Sequence, residues 1–366
     1  MPTPLPSLPA SLQALPPSAA HFCLEVQRFL EHEPELFIRG RAILVGLSGG
    51  ADSSALLLCL HYLAPRMDLS VYAAHLDHAL RPTSIAEAQY CQKLCRSMGI
   101  PLQSRRIDVA ALAQKNATGI EEAGRLARYA FFKEAAKACS CSLIATGHTA
   151  NDLAEDVLMR LARGCGWPGL AGMRAHDAKR ALVRPLLLTS RAAIEDFVAS
   201  FGLGWVRDES NTDEQYTRNR IRARMLPLFL DENPAFLESV IGLWRLGRMD
   251  ERCFDQLLAQ HLNPPASALS MPGPGDKACG MAAPFLRTPP CAVSRTTLLP
   301  LPQALRMRFY KQRLDALGPG QVSLGALLSL DASVVQGNCA QHSFAGGKRV
   351  AVTHKSVSFS AGHAGR

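Results

Sequence analysis

Long hydrophobic runs are missing from this sequence of 366 residues. No segment approaches the roughly 18 consecutive apolar residues that a transmembrane helix needs, so we expect no membrane span. The N terminus also lacks the basic and then apolar pattern of a signal peptide, since it is rich in proline and carries no charge. These two absences favour a cytoplasmic protein.

Paired cysteine motifs are missing as well. The chain has 11 cysteines but no CxxC unit, and the closest pairs are Cys91 with Cys95 and Cys139 with Cys141. Cys91 and Cys95 share one apolar helical face, which favours core packing over metal binding. Without paired CxxC units, a zinc ribbon or an iron–sulfur cluster has no ligand framework. In the cytoplasm the cysteines are expected to stay reduced.

The overall composition is typical of a soluble globular enzyme, with 48% hydrophobic and 19% charged residues. The length of the chain predicts two or three domains with ample residues to bury a core. The formal net charge of +9 favours a polyanionic partner, but it does not identify one.

The segment AILVGLSGGADSSALLL, residues 42–58, combines a buried strand, a glycine turn and the start of a helix. Residues 43–47 are aliphatic or glycine, which predicts the strand, and Ser48, Gly49 and Gly50 predict the turn. Backbone N–H groups converge at the N terminus of such a helix, and the helix dipole favours an anion there. We therefore expect a phosphate or pyrophosphate to bind at this turn.

Asp52 places a carboxylate inside the expected phosphate site. A carboxylate repels phosphate unless a divalent cation lies between them, which indicates Mg²⁺. The loop is not a Walker A motif, because no Lys-Ser/Thr pair follows at the required spacing, and it is not a GxGxxG fingerprint. A structural alternative stays open here, namely a tight strand-to-helix turn capped by Asp52.

Strand and helix patterns alternate along residues 21–230, and most of the predicted strands are apolar. This alternation predicts an α/β fold with a doubly wound parallel sheet, because helical crossovers cover both faces of such a sheet. Five strands are predicted, at 43–47, 69–76, 102–109, 143–146 and 183–187. Polar residues at the carboxyl ends of parallel strands line the ligand crevice, and His75, Asp77 and His78 stand at the end of the second strand.

The domain organisation follows from composition and from the spacing of apolar residues. We expect a flexible proline-rich arm at 1–20, the α/β domain at 21–230, a smaller helical domain at 231–330 with a proline-rich insertion at 263–302, and a short C-terminal β-hairpin tail at 331–366. The hairpin is predicted because Val350, Val352, Val357 and Phe359 alternate on either side of a turn.

Several motifs occur in an order that resembles one enzyme family. They are SGGADS at 48–53, HLDHALR at 75–81, GRLARY at 124–129, GHTANDLAED at 147–156, RGCGWPGLAGM at 163–173 and WVRDESNTDEQYTRNRIRARMLP at 205–227. The first resembles the SGGxDS loop of the PP-loop, or N-type, ATP pyrophosphatases, which cleave ATP between the α and β phosphates. The whole series resembles the bacterial tRNA(Ile)-lysidine synthetases over about residues 40–230.

The resemblance implies an adenine nucleotide alpha hydrolase-like fold and a ligase that uses ATP and Mg²⁺. Members of this family adenylate the C2 oxygen of the wobble cytidine in the CAU anticodon of tRNA(Ile), and L-lysine then displaces AMP to leave lysidine. The implied partners are tRNA(Ile) and free L-lysine, and a homodimer stays open. A tRNA thiolase on the same fold is an alternative that the missing cysteine pairs disfavour. A non-catalytic RNA-binding relative is another, which the intact SGGADS loop disfavours.

The resemblance also implies roles for individual residues. ATP phosphates are assigned to Ser48, Gly49, Gly50, Ala51, Asp52 and Ser53, Mg²⁺ to Asp52 and Asp152, and the adenylation step to these two acids with Arg125 and Arg128. Substrate contacts are assigned to His75, Asp77, His78, Glu155, Arg218, Asn219, Arg220 and Arg222, with lysine at Glu155 and RNA backbone at the arginines. A solvated helix face stays an alternative for the arginines, and a strand-end turn for the two histidines and Asp77.

Two local patterns carry further expectations. If residues 218–224 are helical, Arg218 shares one face with Arg222 while Arg220 shares another with Arg224. Asn151 stands where the family has the first of two adjacent aspartates. An amide oxygen can accept a hydrogen bond at a helix terminus but adds no charge, so we predict that Asn151 has a capping role.

Overall fold

The computed structural model describes residues 6–80, 84–205, 217–262 and 292–361. The chain divides into two compact units, one formed by residues 1–165 and 169–245 and the other by residues 166–168 and 246–366. Arg81, residues 206–216 and residues 263–291 of the predicted insertion lie outside the described residues. In the ranges that are described, no helix is long and apolar enough to cross a membrane.

A six-stranded sheet forms the centre of the first unit. Its strands are β1 (Ala42–Gly46), β2 (Ser70–Asp77), β3 (Leu102–Arg106), β4 (Leu143–Ala145), β5 (His176–Asp177) and β6 (Leu182–Val183). Their order is β3-β2-β1-β4-β6-β5, and each neighbouring pair is parallel except β5 with β6. The predicted parallel sheet is confirmed. The number five is wrong by one, because the two-residue strand β5 is too short to give a pattern in the sequence.

Helices cover both faces of this sheet. They are α1 (Pro17–His32), α2 (Ala51–Met67), α3 (Ser84–Ser97), α4 (Val109–Lys115), α5 (Ile120–Ala138), α6 (Ala150–Ala162), α7 (Arg191–Ala199), α8 (Thr217–Arg220), a π-helical turn (Ile221–Met225) and α9 (Leu226–Glu232). Successive side chains of a strand point to opposite faces. Ile43 of β1 accordingly belongs to a core with Leu57 of α2 and Phe197 of α7, whereas Leu44 belongs to a second core with Phe131 of α5.

Two strands end three or more residues earlier than predicted. β3 ends at Arg106 because Asp108 caps the next helix, its Oδ1 accepting the N–H of Ala111 at 2.9 Å. The predicted strand at 183–187 begins one residue earlier and ends at Val183. The chain turns there, since the N–H of Leu187 donates to the carbonyl of Arg184.

The proline-rich start of the chain packs against the first unit. Leu12 and Leu15 are buried, and the hydroxyl of Tyr62 donates to the carbonyl of Pro9 at 3.0 Å. Helix α1 begins at Pro17, since proline fits the first helical position, where its missing N–H is not needed. Residues 6–20 are therefore part of the packed unit and not the flexible arm that their composition predicted.

The second unit combines helices with a four-stranded antiparallel sheet. Its elements after α10 (Phe236–Leu262) are β7 (Ala292–Ser294), α11 (Arg295–Leu298), α12 (Gln303–Ala316), α13 (Leu324–Gln336), β8 (Ala340–Phe344), β9 (Lys348–Val352) and β10 (Ser356–Ala361). The strand order is β7-β10-β9-β8. The predicted hairpin is present as β9 and β10, but it belongs to this sheet instead of forming a tail. Residues 292–302 fold too, and Leu298 is fully buried, so the insertion is shorter than predicted.

Candidate active site

The loop between β1 and α2 is closed by its own hydroxyl groups. Ser53 Oγ accepts the N–H of Ser48 at 3.1 Å and donates to the carbonyl of Gly50 at 3.1 Å. Gly49 has a φ of +87°, a conformation that favours glycine. Gly50 precedes helix α2 and offers no side chain as a cap, so the first N–H groups of the helix are available to an anion. This geometry agrees with the phosphate site predicted from the sequence.

Gly147 brings the loop after β4 into contact with the start of α2. A Cβ atom added to Gly147 would lie 2.9 Å from the backbone C and O of Asp52 and 3.1 Å from the N of Ser53. Carbon atoms do not approach backbone atoms so closely, so only glycine allows the two loops this separation. The contact fixes the position of α6, which follows Gly147, relative to the phosphate loop.

Replacing Gly147 by alanine is expected to lower the free energy of unfolding by about 1–3 kcal/mol, because the two loops must separate to admit the methyl group. Urea denaturation measures the change. Gly242→Ala is the matched control: apart from its chain neighbours and the backbone of its own helix, no atom of the described residues lies within 4 Å of its added Cβ, and alanine favours the helix there. Equal stability of the Gly147→Ala variant and the wild type would contradict the close approach.

Asp152 lies in the first turn of α6 and takes part in its capping. Its Oδ2 accepts the backbone N–H of Thr149 at 2.9 Å, and the hydroxyl of Thr149 in turn accepts the N–H of Asp152 at 3.3 Å. Its Oδ1 accepts from Arg218 at 2.8 Å and from Arg222 at 3.2 Å. Burial acts to raise the pKa of Asp152, but the charge of Arg218 and the hydrogen bond from the Thr149 backbone help to hold that pKa below its usual value.

Glu155, one turn further along α6, receives the same two arginines. Arg218 Nε donates to one carboxylate oxygen at 2.7 Å, and Arg222 Nε donates to the other at 2.6 Å. The side chain of Glu155 is only 1% exposed. The predicted shared face of Arg218 and Arg222 is therefore present, but it points at two buried acids. This four-residue acid–arginine cluster gives the two arginines partners other than the RNA backbone predicted for them.

The residues predicted at the end of β2 have different environments. His75 is buried, and its Nδ1 donates to the carbonyl of Leu47 at 2.9 Å, which leaves Nε2 without a partner among the described residues. Asp77 shapes the turn after the strand, because its Oδ1 accepts the N–H of Ala79 at 2.8 Å. The ring of His78 lies against Gly124 of α5. Asp77 therefore has the strand-end turn position that was the alternative to substrate binding. His78 lies beside the helix that carries Arg125 and Arg128.

The arginines of α5 and of the π-helical region are placed as follows. Arg128 Nη2 lies 3.5 Å from His78 Nε2, whereas Arg125 is exposed and makes two hydrogen bonds to Glu122, at 2.7 and 2.6 Å. Arg220 is exposed and donates to the hydroxyl of Thr217 at 3.1 Å, and Asn219 beside it is half-buried. Arg125 thus lies on a solvated face of α5, which is the alternative noted for it.

Comparison with known proteins identifies the family. A family model described as a PP-loop domain matches residues 19–229. A tRNA(Ile)-lysidine synthase of Nitratidesulfovibrio vulgaris is 44% identical over 331 residues, which make up 89% of this chain and 93% of that protein. This chain belongs to the tRNA(Ile)-lysidine synthase family.

Other members of the lysidine synthase family are longer. The tRNA(Ile)-lysidine synthase of Geobacter sulfurreducens is 38% identical over 65% of this chain and 51% of its own length. For that of Thermotoga maritima, the identity is 37% over 56% of this chain and 49% of its own. The chain therefore matches about half the length of these two relatives. Among solved structures, a U34-tRNA thiolase of Methanococcus maripaludis aligns with a TM-score of 0.50 and 15% identity over 62% of this chain and 80% of that one, a likeness of fold alone.

Two residues near the site of this lysidine synthase family member were not predicted. Arg191, the first residue of α7, lies with Nη2 3.4 Å from Oδ2 of Asp52. His148 lies with Nδ1 2.8 Å from the hydroxyl of Thr146, and burial lowers the pKa of His148 to about 4, so the ring is neutral at pH 7. His148 belongs to a motif that was quoted above, whereas no motif or spacing distinguishes Arg191 in the sequence.

Burial raises the pKa of Asp52 to about 6. The charge of Arg191 lowers it and the charge of Asp152 raises it. A divalent cation beside Asp52 would favour its ionised form and so oppose the effect of burial. In the part of the chain that the structure describes, no group of three or more His, Cys, Asp or Glu side chains is arranged to hold a metal.

Proposed function

We propose that this protein uses ATP and Mg²⁺ to ligate L-lysine to C2 of the wobble cytidine in the CAU anticodon of tRNA(Ile), through an adenylated cytidine. The observation that carries the proposal is the SGGADS loop at the start of α2, which the chain approaches closely at Gly147, five residues before Asp152, in a chain 44% identical to a tRNA(Ile)-lysidine synthase. A tRNA and free lysine as substrates place the proposed reaction in the cytoplasm.

The phosphate loop is proposed to bind the part of ATP that leaves as pyrophosphate. Attack of the cytidine C2 oxygen on the α phosphate transfers AMP and releases pyrophosphate, so negative charge grows on the leaving group. The N terminus of α2 and the serines Ser48 and Ser53 would stabilise that charge. Catalysis in such a step consists of positioning and charge neutralisation, since the protein forms no covalent bond.

Asp52 fits a magnesium ion better than Asp152 does in the structure as it stands. Burial and the charge of Asp152 both disfavour an ionised Asp52, and a cation would compensate for both. Asp152 has one oxygen in the helix cap and the other on two arginines, so it would have to release an arginine to bind metal. When bound, Mg²⁺ would neutralise the ATP phosphates beside these carboxylates.

Glu155 remains the proposed binding site for a positively charged group of the lysine substrate. The carboxylate already accepts two guanidinium groups, from Arg218 and Arg222, so its surroundings suit cations. A lysine ammonium would take the place of one of these arginines. The neutral state of His148 at pH 7 avoids adding a competing positive charge beside Asp152.

The tRNA backbone is proposed to meet the opposite face of the π-helical region, where Arg220 and Arg224 are exposed. Replacing both by alanine is expected to weaken tRNA binding and to reduce the slope of log K against log salt by about one for each phosphate that the variant no longer binds. Filter binding over a salt series measures the slope. Arg39→Ala, which removes an exposed arginine paired with Glu31, is the matched control. An unchanged slope in the double variant would indicate that these arginines lie on a solvated face and do not contact tRNA phosphates.

One assay tests the proposed function. Protein, Mg²⁺-ATP and labelled lysine are incubated with a CAU-anticodon tRNA(Ile) transcript, and label is expected in the tRNA together with release of AMP and pyrophosphate. The control transcript carries uridine in place of the wobble cytidine and is expected to accept no label. Failure to label the CAU transcript while ATP and tRNA both bind would favour a non-catalytic RNA-binding role. Equal labelling of both transcripts would exclude the wobble cytidine as the acceptor.

A further inference from the structure

The N termini of α6 and α7 are joined by one side chain. Asn151, the second residue of α6, accepts the backbone N–H of Arg191 with its Oδ1 at 2.9 Å. The N–H of Ala150 donates to the carbonyl of Thr189 at 2.9 Å in the same place. The prediction that Asn151 caps its own helix is therefore wrong, because Thr149 caps α6. Asn151 instead accepts the first N–H of α7, a helix whose N-cap is Ser190.

The backbone of Arg191 is thus fixed, while its side chain is held weakly. Its Nη2 lies 3.4 Å from Oδ2 of Asp52, a longer separation than the 2.7 Å between Arg218 and Glu155. The side chain is 35% exposed, so water competes for the guanidinium. A single long contact of this kind contributes little to stability, which allows the side chain to change partner.

A nucleotide phosphate would offer Arg191 a stronger partner than Asp52. Arginine binds phosphate through charged hydrogen bonds, and the proposed cation would neutralise Asp52 at the same time. The guanidinium stands beside the first turn of α2, next to the loop that would bind the phosphates. Glu195, one turn along α7, adds negative charge near Asp52. Arg191 is the basic residue of α7, so it is the residue of this helix that can bind a phosphate.

We propose that Arg191 binds the phosphates of ATP, and that Asn151 is the positioning residue that holds Arg191 over the loop. The inference rests on the proposed use of ATP, and it adds two residues to that site. Without nucleotide, Arg191 pairs with Asp52; with nucleotide, the guanidinium moves from the carboxylate to a phosphate oxygen. The amide of Asn151 suits its task because its oxygen accepts the backbone N–H of Arg191.

Isothermal titration calorimetry with Mg²⁺-ATP, in the absence of tRNA and lysine, tests both residues. Arg191→Gln is expected to weaken ATP binding about 10-fold or more, the usual loss for a charged hydrogen bond. Arg191→Lys, which keeps the charge without the fork of donors, is expected to lose about 3-fold. Asn151→Leu should weaken binding by about 3-fold or more, whereas Asn151→Asp, which keeps the acceptor oxygen, should stay within about 2-fold of the wild type.

The control variant is Arg39→Gln, an exposed arginine paired with Glu31, which is expected to bind ATP as the wild type does. Thermal unfolding without nucleotide shows which variants are folded. If Arg191→Gln is unfolded, the ATP affinity of Arg191→Lys alone is compared with that of the wild type. Unchanged ATP affinity in the folded Arg191 variants, or no ATP binding by the wild type, would overturn the proposal. Loss of affinity in Arg191→Gln but not in Asn151→Leu would overturn the role of Asn151. These outcomes are separate from the lysine-transfer assay, which can fail while Arg191 still binds ATP.

Discussion

Asp52→Asn is expected to abolish lysine transfer and yet to make the metal-free protein more stable at pH 8. The activity falls because the ATP phosphates lose the carboxylate that anchors their cation. The stability rises because an ionised Asp52 is unfavourable in its buried position. Raising its pKa from 3.8 to about 6 corresponds to a cost of up to about 3 kcal/mol, at ~1.4 kcal/mol for each pH unit.

The raised pKa of Asp52 determines how the stability difference between the wild type and Asp52→Asn changes with pH. The folded-state pKa of Asp52 lies above the unfolded value, so the unfolded chain loses its proton first as the pH rises. The wild type therefore loses stability relative to Asp52→Asn between pH 3.8 and about 6, and the difference is complete above pH 6. Urea denaturation in EDTA at pH 4 and pH 8 measures it.

Asp68→Asn is the matched control for Asp52→Asn. Asp68 is exposed at the end of the same helix with a φ of 52°, a conformation that asparagine also adopts readily. We expect the control to change neither the activity nor the stability. Near wild-type lysine transfer by Asp52→Asn would remove Asp52 from the metal site, and an Asp52→Asn protein no more stable than the wild type at pH 8 would show that burial of this carboxylate costs little.

The centre of the first unit was predictable because its signals are local and continuous. β1 is an apolar run that enters a glycine turn, and the turn residues themselves determine the phosphate loop. The start of α6 carries a local signal of the same kind, because Thr149 and Asp152 stand at the spacing of a capping box, although the cap was predicted at Asn151. Such features depend on neighbours within a few residues and need no knowledge of the distant chain.

The features that escaped prediction depend on distant partners. Leu12 and Leu15 stand between prolines without a helical period, and their burial depends on the fold around them. Arg191 gains its place from Asn151 and Asp52, which are 40 and 139 residues away in the chain. The spacing of Arg218 and Arg222 predicted a common face correctly, but spacing alone does not say what that face contacts.

Removing both arginines of the acid–arginine cluster is expected to lower the free energy of unfolding by about 3–5 kcal/mol, because two buried acids then lack counter-charges. The variant is Arg218→Gln with Arg222→Gln, measured by urea denaturation at pH 8. The carboxylates left behind are those of Glu155, 1% exposed, and Asp152, 11% exposed. Arg125→Gln, which breaks an exposed pair with Glu122, is the control and should change stability little.

Adding Glu155→Gln to the double variant is expected to recover part of the lost stability, because the most deeply buried uncompensated charge disappears. Recovery would show that the two arginines chiefly neutralise the acids of α6, whereas no recovery would indicate that packing of the arginine side chains dominates.

The triple variant also separates the two roles considered for Arg218 and Arg222, namely neutralising the acids and binding the RNA backbone. Filter binding to tRNA should give the same salt slope as the wild type, since Arg218 and Arg222 direct their guanidinium groups to Asp152 and Glu155. A slope lower by about two would instead assign both arginines to the RNA backbone, and the contacts with the acids would then belong only to the state without tRNA.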